Sequence, residues 1–230
     1  MSVEPESQPP DSSQHTSEVA EPQRGGRHED RAPIVVLASG TGTLLEAILD
    51  AADAEDYPAS VVGVVADRPC RAIEVAQARG IPVAVVAPTS FSDRSRWDRA
   101  LTEAVSDHRP ALVVTAGFMR ILGSVFLAAH GGRIVNSHPA LLPAFPGAHG
   151  VREALDYGVK ITGATVHLVD DGVDTGPILA QSPVPVEPDD DEQRLHERIK
   201  GVERALLPQV IGQIVTKGVV SDGRKAHIRE

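Results

Sequence analysis

Asn136 and His138 stand two residues apart in Ile134-Val135-Asn136-Ser137-His138-Pro139, directly after an apolar run. Side chains in a strand alternate with period 2, so this spacing turns the amide and the imidazole to the same side and into one site. Neither is a strong nucleophile in that setting. An amide N–H and a protonated imidazole both donate hydrogen bonds, which is what the oxyanion of an acyl transfer requires. By themselves the two residues would serve equally well to end a strand, and a chemical role requires partners elsewhere in the chain.

Three other stretches supply candidates. In the acidic turn formed by residues 170–177, Asp174 lies between Gly172 and Gly176. A carboxylate brought against His138 favours the charged imidazolium and raises its pKa. The turn does not read as a calcium loop, because Asp170, Asp171 and Asp174 lack the remaining oxygen ligands, and no metal is expected.

The second stretch, Ser39-Gly40-Thr41-Gly42-Thr43, joins an apolar run to a segment with helical spacing. Strand, glycine turn and helix together point free N–H groups and a positive dipole end at an anion, most simply one phosphate. Asp67 ends the next apolar run, where a ribose-binding acid would sit, but Leu45 occupies the place of the third glycine in a dinucleotide fingerprint. No Gly-Lys-Ser/Thr follows, so the loop is not a Walker loop either. The third stretch, 116–122, is apolar apart from Arg120, an odd composition for a connection.

The elements that must position these residues read as an α/β protein with a doubly wound, mostly parallel sheet and helices on both faces. Buried strands are expected over 33–38, 60–66, 81–86 and 111–115, with helices over 44–49, 70–79 and 92–106. A helix over 151–157 follows, then a strand over 160–169 in which Thr165, His167 and Val169 share a face. Residues 178–186 read as a further strand, and Asp189 to Glu192 place acid at the start of a long amphipathic helix over 193–216.

With 230 residues and 41% hydrophobic but only 3% aromatic content, one domain packed with aliphatic side chains is expected. Residues 1–32 are rich in Ser, Pro, Glu and Gln and read as a disordered tail without the apolar or acid-poor signature of a targeting segment. Residues 33–220 form the catalytic domain in this reading, and 221–230 a C-terminal tail. The net charge of −10 argues against nucleic acid and anionic membranes as partners. No apolar run is long enough to span a bilayer. Cys70 is the single cysteine, which suits a reducing cytoplasm and argues against an intrachain disulfide. His149 and His196 have no evident partner and are assigned to the surface.

Four separated segments, 36–43 (VLASGTGT), 116–122 (AGFMRIL), 136–147 (NSHPALLPAFPG) and 163–177 (GATVHLVDDGVDTGP), together resemble the phosphoribosylglycinamide formyltransferase family, the folate-dependent transferases of purine synthesis. The likeness covers about 33–218. It implies a Rossmann-like formyltransferase fold and transfer of a formyl group from 10-formyltetrahydrofolate, as co-substrate, to the amine of 5-phosphoribosylglycinamide. It further implies that Asn136, His138 and Asp174 are catalytic and that Gly42, Thr43 and Leu44 hold the substrate phosphate. By the same likeness Lys200 and Glu203 reach the ribonucleotide. Arg94, Met119, Arg120, Ile121, Leu122, Asn136, Asp170, Asp171, Gly172 and Val173 serve the folate. Arg94, Arg120 and Lys200 are available as local positive charge for a phosphate and a glutamate tail.

Many relatives have Asn where this chain has Leu44, so a side-chain contact there is lost. Two related activities, on initiator tRNA and on formyltetrahydrofolate hydrolysis, fit less well: the first calls for a further C-terminal domain and a basic surface, the second for an N-terminal regulatory domain. Partners are small molecules, and the reading leaves oligomeric state open, a homodimer included.

Overall fold

The structure, a computed structural model, describes residues 31–230. The tail expected over 1–32 therefore lies outside the described residues, apart from Arg31 and Ala32. The described chain begins with β1 (Ala32–Ala38), α1 (Thr43–Ala52), β2 (Ala59–Ala66), α2 (Arg71–Ala78) and β3 (Val83–Val85). It continues through α3 (Arg94–Ser106), β4 (Leu112–Thr115), α4 (Ser124–His130), β5 (Ile134–His138), α5 (Gly150–Tyr157) and β6 (Ile161–Leu168). The last elements are β7 (Ile178–Pro185), α6 (Glu192–Lys217), β8 (Val219–Asp222) and β9 (Lys225–Ile228).

One sheet holds all nine strands in the order β3-β2-β1-β4-β5-β6-β7-β9-β8. Strands β3 to β5 pair in parallel, and β6 turns antiparallel against β5. The continuous apolar runs are explained by burial on both faces. Ile34, Val36 and Ala38 of β1 join the core against α1, α2 and α6, while Val35 and Leu37 join Trp97, Leu101 and Phe126 of α3 and α4 on the other side. Because β2 and β4 flank β1 on opposite sides, the chain reverses direction across the sheet between β1 and β4. In open α/β sheets, ligands bind at the carboxyl ends of the strands at such a switch point.

Three readings require correction. Helix α4 was not expected, because its seven residues begin and end at glycines and carry no cap of their own. Its exposed N–H groups are instead satisfied from α3: buried Asp98 accepts from Gly123 N at 3.0 Å and Val125 N at 2.9 Å. Strand β3 is confined to three residues of the six expected. Where a C-terminal tail was read from 221, β8 and β9 form an antiparallel hairpin that extends the sheet beside β7. Asp191, as expected of acid at a helix start, caps α6 by accepting from Arg194 N at 2.8 Å.

Candidate active site

Register places the chemistry. Leu37 of β1 is level with Thr115 of β4, Thr115 with Asn136 of β5, and Asn136 with His167 of β6. This row crosses four strands at their active edge. Asn136 is held from both sides: its Oδ1 accepts from Thr115 Oγ1 at 2.6 Å, and its Nδ2 lies 3.1 Å from His167 Nε2. His167 Nδ1 lies 2.9 Å from the carbonyl of Leu168, so that nitrogen carries the proton and Nε2 is left to accept from the amide. The second N–H of Asn136 points toward Asp174 Oδ1 at 3.5 Å, too far for a strong bond and therefore readily redirected.

Asp174 has a φ of 53°, in the sparsely populated left-handed region, and the surrounding turn holds it there. Asp170 Oδ1 accepts from Gly172 N at 3.1 Å and Thr175 Oγ1 at 2.6 Å, which closes the turn. A Cβ at Gly176 would run into the carbonyl oxygen of Leu168, so only glycine lets the turn lie against β6. The turn delivers the carboxylate to the strand end: Asp174 Oδ2 lies 3.3 Å from His138 Nδ1 and accepts from Gly147 N at 2.7 Å, while Oδ1 is 3.6 Å from His167 Nε2. Burial pushes the Asp174 carboxyl up, but the neighbouring His167 ring, the Gly147 N–H and His138 outweigh it and hold it below the usual carboxylate range.

His138 departs from expectation in one respect. Its Nε2 lies 2.8 Å from the Phe145 carbonyl, so both ring nitrogens face oxygen acceptors, an arrangement that favours the imidazolium. The ring is nevertheless almost wholly buried, and burial lowers its pKa by more than Asp174 and Phe145 raise it. The expectation that Asp174 lifts His138 above its ordinary value is corrected: Asp174 acts in that direction, but desolvation outweighs it and leaves the pKa of the ring below its ordinary value.

The trio opens into a cleft of about 440 Å³, within the range of pockets that enclose a ligand of drug size. Met119, Arg120, Ile121, Leu122, Asp170, Gly172 and Val173 line the same cleft with Asn136, His138 and Asp174. Met119 and Ile121 are 63% and 61% exposed, far more than apolar side chains of this size usually are away from a ligand surface. The loop carrying them is anchored at its root: Met119 N donates to Ser39 Oγ at 2.9 Å, and Ser39 N donates to Gly117 O at 3.2 Å.

Arg120 lines the cleft with part of its guanidinium committed to another residue. Its Nε binds Asp67 at 2.6 Å, and Asp67, fully buried, also pairs with Arg68 at 2.8 Å. Burial alone would raise Asp67, but hydrogen bonds from Arg68, Arg120 and Ser39 overcome it and bring it down to about 2. Arg94 donates to the Ile121 carbonyl and packs 4.5 Å over the Trp97 ring, which places it at the outer side of the same loop.

The remaining expected residues lie outside this cleft. Asp171 does not line it. Gly42, with φ 75°, starts α1, and Thr43 borders a separate hollow of about 280 Å³ together with Arg204 of α6. Lys200 pairs with Glu197 at 2.7 Å, and Glu203 is buried against Ser137. Several groups at the site were not anticipated: Thr115, His167, the Phe145 carbonyl, the Gly147 N–H, and His149 and His196, which line the cleft rather than the general surface. Only His167 gave a signal, through its shared face with Thr165. Among the described residues no group of three or more His, Cys, Asp or Glu side chains converges as a metal would need.

A polar donor cluster at the carboxyl end of β5, beside an exposed apolar slot, suits group transfer in an enzyme of the α/β class. The sequence model of the formyl transferase family matches residues 32–211. The chain is 60% identical over 195 residues to a phosphoribosylglycinamide formyltransferase of Mycobacterium tuberculosis, covering 85% of this chain and 90% of that protein. It is 40% identical over 192 residues to the enzyme of that name from Bacillus subtilis, covering 83% and 97%. Among solved structures it is similar to glycinamide ribonucleotide transformylase 1 from Symbiobacterium toebii, with a TM-score of 0.85, 39% identity, and 87% and 95% coverage. The chain belongs to the formyl transferase family.

Proposed function

We infer that this protein transfers the formyl group of 10-formyltetrahydrofolate to the amine of 5-phosphoribosylglycinamide, giving the N-formyl product and tetrahydrofolate in purine biosynthesis. The observation that carries the reading is the convergence of Asn136, His138 and Asp174 beside the apolar slot of Met119 to Leu122. The activity is assigned to residues 33–220, every group assigned to it comes from a single chain, and a cytoplasmic setting is part of the proposal.

The residues divide the work as follows. The slot holds the flat, largely apolar ring of the donor, edged by the polar turn at Asp170 to Asp174, and Arg94 steadies the loop from behind. The acceptor amine attacks the formyl carbon with its lone pair, a C–N bond forms, and the carbonyl electrons move to oxygen. Asn136 donates its loosely held N–H to that oxygen, with His167 and Thr115 keeping the amide in orientation.

His138 starts neutral. Negative charge on the new oxygen raises the ring's affinity for a proton, and the attacking nitrogen, now positively charged, has one to lose. His138 and the ionised Asp174 pass that proton toward the departing nitrogen of the donor, whose bond to the formyl carbon breaks as the carbonyl reforms. Gly42, Thr43 and Leu44 present backbone N–H groups to the acceptor phosphate, and Lys200 and Glu203 approach it from α6.

The test is release of tetrahydrofolate by the purified protein with and without 5-phosphoribosylglycinamide. Release that requires the acceptor supports the reading. Release at the same rate without it would mean hydrolysis of the donor instead.

A further inference from the structure

Ser137 stands between Asn136 and His138, and strand alternation turns it to the opposite face of the sheet. On that face Ile34, Val36 and Val135 pack against α1 and α6, whereas Ile134 packs with α3 and α4. Ser137 Oγ donates to Glu203 Oε1 of α6 at 2.6 Å, and both residues are buried, at 7% and 4% exposure. That distance is at the short end of the range for an O–H···O bond. Next to Glu203, Arg204 borders the hollow that begins at Thr43 of the glycine loop. The two faces of β5 thus serve different sides of the site, with the formyl-donor slot on the α3 and α4 side and the glycine loop and Glu203 on the α1 and α6 side.

We propose that Ser137 is a positioning residue for the acceptor, fixing the orientation in which the Glu203 side chain meets the ribonucleotide and tying that recognition to the catalytic strand. This rests on the formyl-transfer reading and on Glu203 meeting the acceptor. Burial raises the Glu203 carboxyl above its ordinary value, while the Ser137 hydroxyl and the charges of Lys200 and Arg204 pull it back. Loss of the hydroxyl therefore releases the carboxylate and makes its protonation easier.

The experiment compares Ser137→Thr with Ser137→Val, side chains of nearly equal shape that differ in the hydroxyl. Ser137→Val should raise KM for 5-phosphoribosylglycinamide by about tenfold or more, the range for losing a buried hydrogen bond. It should also move the acid limb of kcat/KM for the acceptor to higher pH, while KM for the formyl donor and kcat stay within about twofold. Ser137→Thr should keep the wild-type acceptor KM and pH profile. If the added methyl disturbs folding, Ser137→Ala removes the hydroxyl without adding volume and carries the same expectation as Val.

Equal acceptor KM values in Thr and Val variants would overturn the proposal, as would donor and acceptor constants that shift together. In either case turnover by the wild type in the same assay leaves the formyl-transfer reading intact. Absence of turnover in the wild type would overturn both.

Discussion

Asp174 Oδ2 lies 3.3 Å from His138 Nδ1, although the two residues are 36 positions apart in sequence. A turn strained at Asp174 and braced by Asp170 makes the approach, and burial sets its electrostatic outcome, with both the carboxyl and the imidazole pKa held below their ordinary values.

Asp174→Asn removes the charge and keeps the backbone, since Asn tolerates a positive φ. Turnover should fall by about 10² or more, the usual share of a group that handles a proton in the transition state. Thermal unfolding should change little. Tetrahydrofolate release and a melting curve on the same preparation check both expectations, and unchanged turnover would remove Asp174 from the mechanism.

The depressed pKa of His138 predicts a sign for stability against pH. The folded ring binds a proton less readily than the unfolded one, so its contribution is complete above the ordinary value near 6.5 and is lost as pH falls through the lower folded value. Wild type should therefore gain in Tm relative to His138→Gln as pH rises from about 5 to about 7. A Tm difference that is flat or falling over that window would contradict the burial argument.

Gly176→Ala should disable the site from outside it. The new Cβ meets the Leu168 carbonyl, so the turn must lift and carry Asp174 away from His138. Destabilisation of about 1–3 kcal/mol is expected from the overpacking. Activity should fall beyond what the folded fraction explains, as read by turnover normalised to folded protein.

Asp67→Asn should loosen the donor slot rather than the chemistry. Asp67 ties Arg120 to the first half of the sheet, and its carboxylate, depressed to about 2, contributes stability that is present above the ordinary value near 4 and lost as pH falls toward 2. In the variant, KM for the formyl donor should rise with kcat largely kept, and the acid end of the stability curve should flatten. Steady-state kinetics in the donor and acid titration followed by circular dichroism measure the two effects.

Much of this was legible in the chain because local signals and tertiary demands agree. The continuous apolar runs, the glycine loop after the first strand and the period-2 spacing of Asn136 and His138 each have one geometric meaning. The failures have physical causes. Helix α4 takes its N-terminal cap from Asp98, a partner 25 positions before Gly123, so nothing local announces it. The tie between Arg120 and Asp67 was hidden because only the sheet brings the two together. His167 was visible as one member of a strand face, but its pairing with Asn136 depends on the antiparallel register of β5 and β6. The sign of the His138 shift depends on depth of burial, which a spacing argument does not contain.

The central claim, that formyl transfer occurs at the β5 strand end, is tested most directly by Asn136→Ala in the acceptor-dependent tetrahydrofolate assay. The amide is held by Thr115 and His167 with one N–H left for an oxyanion, so its loss should lower turnover by about 10² to 10³ in a protein that remains folded. Turnover near that of the wild type, with a wild-type melting curve, would contradict it.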